Sequence, residues 1–317
     1  MERLFEFDLY RLIVLDTEDV FEFVGRRAES DPDYLAILAN GCAAKFDFHY
    51  QGPKNQYLWS LRDFLQHELG GDIAPHRVAS VRFARSTSEQ QTQIVTDETI
   101  IEGTSHAVPP PATPIRLIFD MQRHLVAVER NGTLMATHGW LDSLHAILDV
   151  AAVDAGFRSQ LRLEPVPEAN QVLEAFRSFQ RLTRLRATLR LPNPEVSRHA
   201  KALYDQMREG AVREYLNDLR GVSGLSQAEG NLPHAIASLA QEGYKKGDVL
   251  LAGIRNGRRE QVRTGRHAAR GQLDGIREFI RGAMTIARTK ETQTALKSVL
   301  GEIDRIHPPE VPIEQSD

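Results

Sequence analysis

Arginine is the residue type in this chain whose spacing points to chemistry. Within Leu182–Leu191 (LTRLRATLRL), Arg184, Arg186 and Arg190 stand at even intervals, so a strand there carries three guanidinium groups on one face. Farther on, Lys245, Lys246, Arg255, Arg258, Arg259, Arg263, Arg266 and Arg270 gather around an Asn256-Gly257 pair, with Asp248 and Glu260 the acids among them. A guanidinium fork donates two parallel hydrogen bonds to two oxygens of one phosphate. Such contacts position a nucleic acid without reading its bases, and they weaken as salt rises. An exposed β-ribbon with basic tips could lie along or in a duplex groove. The competing reading is a solvated face whose charges pair with acids such as Glu209 and Glu214.

The overall charge hides this pattern. The 317 residues hold 39 Lys+Arg against 43 Asp+Glu, a formal net charge of −4. Split along the chain, residues 1–100 carry −7, 101–175 carry −4, 176–290 carry +11 and 291–317 carry −4. The basic block is mostly arginine, its lysines being Lys201, Lys245, Lys246 and Lys290. A polyanion partner is therefore compatible with the acidic total.

Other chemistry is missing from the sequence. There is no G-x-x-x-x-G-K-[ST], no G-x-G-x-x-G after a strand, and no G-x-S-x-G. His67-Glu68 is followed by Leu69-Gly70-Gly71, so no H-E-x-x-H zinc helix exists. The single cysteine, Cys42, rules out an intrachain disulfide and cysteine-rich zinc modules, and reads as a small buried side chain. His138 and His145 read as structural. A metal-dependent nuclease needs clustered carboxylates. The candidates are Asp16/Glu18/Asp19, which read as a solvated turn, and Glu242 near Lys245, which lacks a second carboxylate. No catalytic residue, metal or cofactor is expected. Trp59 and Trp140 read as core, so no stacking platform for single strands is evident.

The elements that must hold the arginines are mixed. Alternation predicts strands at Phe5–Leu15, Lys45–Tyr50 and His76–Arg85, and a paired couple at Ile115–Phe119 and Leu125–Val128. Helical spacing predicts helices at Tyr57–Leu69, Trp140–Val153, Glu168–Gln180, Pro233–Ala240, Gln272–Ala287 and, longest of all, Glu195–Leu219. Ala107–Pro114, with four prolines, reads as an extended connector. Strands Leu182–Leu191, Asp248–Ile254 and Arg258–Arg266 complete the set, the last two joined by the Asn256-Gly257 hairpin turn. The pattern lacks βαβ regularity. It predicts an α+β fold of mixed, mainly antiparallel sheets with packed helices and a basic β-hairpin in the C-terminal half. Three regions are expected: an acidic α+β region at 1–170, a basic one at 171–290, and a loose acidic tail at 291–317. No apolar run reaches membrane-span length, and acids interrupt Met1–Asp8, so a cytoplasmic location without membrane insertion is expected.

From Gln171 to Ile286 the order of elements is familiar: LTRLRATLRL, the PNP break, a helix, the hairpin GYKKGDVLLAGIRNGRREQVRTG and a closing helix. This order resembles the second half of Rex-type phage-exclusion proteins, the RexA family. It is similar also to bacterial antiphage DNA-binding components such as the second protein of the Kiwa system. The resemblance implies a homodimeric, sequence-nonspecific binder of double-stranded DNA in phage exclusion or antiphage defence, without catalysis of its own. A membrane or another defence protein would be a further partner. The alternatives are a divergent metal-dependent nuclease and a non-catalytic interaction module whose acidic and basic halves pair.

Overall fold

The computed structural model describes residues 4–16, 33–51, 55–70, 76–95, 99–106, 111–136, 139–157, 159–190, 212, 214–276, 280 and 290–309. Its elements form two antiparallel sheets with helices packed on them, an α+β fold. The first sheet has nine strands. Its path runs from β13 (Arg270–Leu273) through β1 (Phe5–Asp16), β7 (Leu125–Glu129), β6 (Ala112–Asp120), β4 (His76–Val95) and β3 (Asn55–Leu69) to β2 (Phe48–Gln51). Off this path, β5 (Ile100–His106) pairs with β4 and β8 (Ser159–Pro165) with β1.

Helices cover both faces of this sheet. On one side α1 (Tyr34–Gly41), the short α2 (Gly132–Met135) and α3 (Trp140–Asp154) close a core in which Leu144, Ile147 and Leu148 meet Trp59, Phe83, Leu117 and Val126. Trp59 and Phe83 stack there with ring centroids 5.1 Å apart. On the other side α6 (Lys290–Ile306) sets Leu296, Val299 and Ile303 against Phe5, Phe7, Ile118 and Ala127. Double coverage explains why Ile115 to Asp120 are buried without alternation.

The second sheet runs β10 (Glu214–Arg220), β9 (Arg181–Arg190), β11 (Lys245–Arg255), β12 (Arg258–Thr264). One face is covered by α4 (Gln171–Arg177) and α5 (Leu232–Gln241). Val172, Phe176, Ile236 and Leu239 pack there on Leu185, Leu189, Val249 and Leu251. Ile13 of β1 belongs to this core too, so the sheets meet along β1.

Several expectations hold: the strand at β1, the β6–β7 pair, helix α3, and the hairpin β11–β12 with Asn256 and Gly257 both at positive φ. Others are overturned. Tyr57–Leu69 is strand β3, not a helix. Between Arg62 and Leu65 the β3–β4 register slips by one residue, with Asp63 at φ 56°. This bulge moves Leu65 and Leu69 to the sheet face opposite Leu61, and the leucine spacing imitates a helix. Of the long helix expected at Glu195–Leu219, residues 195–211 lie outside the described residues, and Tyr215, Leu216 and Leu219 sit in strand β10. Gln272 and Leu273 are in β13, while most of the remaining helix expected to Ala287 lies outside the described residues. Phe46 ends a 3-10 turn, and β4 runs on through the polar stretch to Val95. Residues 107–110 of the proline connector lie outside the description, and Ala112–Pro114 opens β6. The tail is no loose segment through residue 306. Ala295, Leu296, Val299, Ile303 and Ile306 recur at helical spacing, and α6 buries them. Nor does the 171–290 region stand apart, because β13 returns to pair with β1.

Candidate nucleic-acid interface

The second sheet has one face on its helices and one facing outward. Odd positions of β9 from Leu185 to Leu189 point into the core, so Arg184, Arg186 and Thr188 point outward. Register then fixes three rows across the outward face. Arg186 stands opposite Leu250, which stands opposite Arg263; Arg184 opposite Ala252, then Gln261; Arg181 opposite Ile254, then Arg259. Strand spacing and rise put Arg181, Arg186, Arg259 and Arg263 at the corners of a rectangle of roughly 10 by 14 Å. All four are exposed.

Arg181 is the residue the sequence reading missed. Its odd number assigns it to the inward face of a regular strand. A register shift between Ala252 and Gly253 sets Gly253 against Leu182 and Ile254 against Arg181, which returns Arg181 to the outward face. The bulge requires glycine on the partner strand. A Cβ at Gly253 would lie 2.1 Å from the Arg181 carbonyl oxygen.

The eleven basic residues named from the sequence divide into three groups. Arg186, Arg258, Arg259, Arg263 and Arg266 are exposed, and none forms an ion pair with a described residue. Four others are partnered. Arg184 makes a two-pronged pair with Asp218 at 2.7 and 2.9 Å, Lys246 reaches Glu214 at 3.3 Å, Arg255 lies 3.8 Å from Glu260, and Arg270 lies 3.9 Å from Asp8. Asp218 also accepts from Arg220 at 2.9 Å, and the two guanidinium groups hold its carboxyl far below the usual range.

Lys245 and Arg190 form the third group, and the structure removes them from any contact surface. Lys245 is wholly buried and donates to the Gly247 carbonyl at 3.0 Å. Arg190 is 6% exposed, ion-paired to Glu164 of β8, with Glu214 at 3.6 Å. Lys245 stands opposite Leu189, so strand parity turns it inward. Arg190 ends β9 where the two sheets meet. Burial pushes the Lys245 ammonium down to about 8, with Glu164 and Asp248 opposing the shift. Burial likewise pushes the Glu164 carboxyl up, against the pull of Arg190 and Lys245. These three groups form a buried ionic joint between the sheets.

Those of the remaining candidates that are described have other roles or partners. His145 Nε2 accepts from the Leu163 backbone N–H at 2.9 Å, and burial pushes its imidazole down to about 3, so it is neutral. His138 lies outside the described residues. Cys42 is half-buried, and burial raises its thiol to about 11. Glu242 is drawn to Arg11 at 3.5 Å and His307 at 3.4 Å, away from Lys245. Asp16 ends β1, and Glu18 and Asp19 lie outside the described residues. Among the described residues no group of three His, Cys, Asp or Glu could hold a metal ion, and no helix is long and apolar enough to cross a membrane.

Residues 86–268, more than half of the chain, match the family described as Domain of unknown function (DUF4747). The match includes all four strands of the second sheet. No curated protein matches the chain.

Proposed function

The chain belongs to the DUF4747 family, and from the arginine face inside the matched residues we propose that it binds double-stranded DNA through the phosphate backbone without reading base sequence. One observation carries this reading: Arg181, Arg186, Arg258, Arg259 and Arg263, with Arg266 just past β12, are exposed and form no ion pair with a described acid; Asp218, which stands across from Arg186, is instead paired with Arg184 and Arg220. Arg184 and Arg255, by contrast, are held by Asp218 and Glu260.

Duplex is favoured over single strands by what lies between the arginines. The outward residues of β11 are Leu250, Ala252 and Ile254, which offer no aromatic ring for a base to stack on. Tyr215 is exposed, but it stands opposite Leu189 and so projects from the side of β10 away from the arginine rows.

Gel-shift titration on unrelated duplexes tests the reading. Binding is expected at about 50 mM salt, similar for every sequence, and weaker by at least tenfold near 200 mM. Arg259→Glu combined with Arg263→Glu should weaken binding to all duplexes alike. Binding that ignores salt, or survives the double variant unchanged, refutes the assignment. In the phage-exclusion setting implied by the element order, a host expressing the chain would plate infecting phage poorly, and the double variant would restore plating.

A further inference from the structure

The second sheet ends on two seven-residue strands, β10 and β12, each paired on one side only among the described residues. An open strand edge presents unpaired backbone N–H and C=O groups to any chain that can extend the sheet. On β10 the bonding direction is fixed. The Gly221 N–H donates to the Thr183 carbonyl at 2.9 Å, and the register continues from that pair through Leu219↔Leu185, Asn217↔Ala187 and Tyr215↔Leu189. Bonding direction alternates along an antiparallel strand, so Glu214, Leu216, Asp218 and Arg220 turn their backbone groups away from β9. Apolar surface accompanies this edge: Leu216 is 54% exposed and Tyr215 38%.

Full overlap of β10 with an antiparallel copy of itself centres on Asn217. Glu214 then faces Arg220 of the second copy, Tyr215 faces Leu219, Leu216 faces Asp218, and the two Asn217 residues meet. The residues with outward backbone groups thus meet one another, as an antiparallel ladder requires. Sliding by two residues sets Glu214 opposite Asp218 or Asp218 opposite itself, and like charges directly opposite destabilise a strand pair. Glu214 and Arg220 have partners within the chain, Lys246 at 3.3 Å and Asp218 at 2.9 Å. Their facing charges therefore select the register, while backbone bonds and apolar contact supply the attraction. Asn217 fits the centre. It is 2% exposed, its Nδ2 donates to the Tyr215 carbonyl at 3.4 Å, and its Oδ1 accepts from no described residue. The amide of the second Asn217 offers that oxygen a donor. β12 lacks this complementarity, because full overlap with its own copy sets Arg259 opposite Arg263.

We propose that β10 pairs antiparallel with β10 of a second copy of this chain, joining the two four-stranded sheets edge to edge. The two-fold axis of such a pair stands perpendicular to the sheet, so both arginine faces look the same way. β9 of one copy then lies roughly 14 Å from β9 of the other, three strand spacings away. The pairing does not depend on what the arginines bind, and it is measured without nucleic acid.

The test is light scattering on the full chain across the micromolar range, where twice the chain mass is expected. Leu216→Pro removes an outward N–H and no bond to β9. Leu216→Asp sets a carboxylate opposite Asp218 of the second copy. Each should weaken self-association by about tenfold or more while keeping the parent's circular dichroism. Val153→Asp, at a residue of α3 that is 70% exposed on the first sheet, should leave the mass unchanged. Asn217→Cys should form an intermolecular disulfide on mild oxidation, because facing residues of a non-hydrogen-bonded pair lie about 4.5 Å apart. The parent, with Cys42 alone, should not. The Arg259→Glu/Arg263→Glu variant should pair as the parent does, which separates this interface from the DNA face. A monomer at every concentration overturns the proposal. So does a dimer that both Leu216 variants leave intact, that Val153→Asp or the DNA-face variant abolishes, or that Asn217→Cys fails to cross-link.

Discussion

Asp218 shows how single residues set the charge available on the arginine face. It holds Arg184 in a two-pronged pair and Arg220 in a second contact. Asp218→Ala should release both, tighten duplex binding and steepen its salt dependence, measured by gel shift across a salt series. The opposite lesson comes from Lys245. An unfolded chain keeps this proton to about pH 10.5, the folded one only to about 8. Unfolding therefore takes up a proton between those values, and stability climbs as pH rises through that window; below it the burial penalty is fully present. Urea titrations from pH 7 to 11 should show the climb in the parent and lose it in Lys245→Met. Glu164→Gln should lower stability by roughly 3 kcal/mol in the same assay, because Arg190 then keeps only Glu214 at 3.6 Å and the buried Lys245 loses the nearby charge that opposes its burial.

At the scale of elements, the two bulges matter more than the propensities. The β3 bulge near Asp63 moves the apolar side chains from one sheet face to the other within a strand. The β9–β11 bulge gathers Arg181 with Arg184 and Arg186. Gly253→Ala should lower the urea midpoint, since its Cβ would overlap the Arg181 carbonyl unless the strands part. Helix α6 is the other decisive element. Leu296 is wholly buried against the first sheet, and Leu296→Ala should cost about 2–5 kcal/mol in urea unfolding. Sequence period identifies this helix. Its acidic composition, weighed first, hides it.

For the molecule as a whole, acidic and basic regions are interlocked. Arg190 meets Glu164, Arg11 meets Glu242, and Arg270 meets Asp8. Part of the basic excess of residues 176–290 is therefore used inside the fold. β13 and α6 both come from beyond the second sheet and complete the first. Ile13 of β1 enters the core of the second. Circular dichroism and tryptophan fluorescence should consequently report one coincident unfolding transition. Two separated transitions would mean that the sheets fold as independent units.

Composition and period in the sequence are enough to establish the α+β class, the arginine-rich block, the hairpin turn at Asn256-Gly257 and helix α3. These depend on neighbours close along the chain, which local spacing reports directly. Which charges remain available was decided only in three dimensions. Arg190 and Lys245 are turned into a joint between sheets, Arg184 is taken by Asp218, and Arg181 is returned to the open face by a bulge. A charge is free or neutralised according to its neighbours in space, and those neighbours are set by strand register, which sequence spacing does not encode.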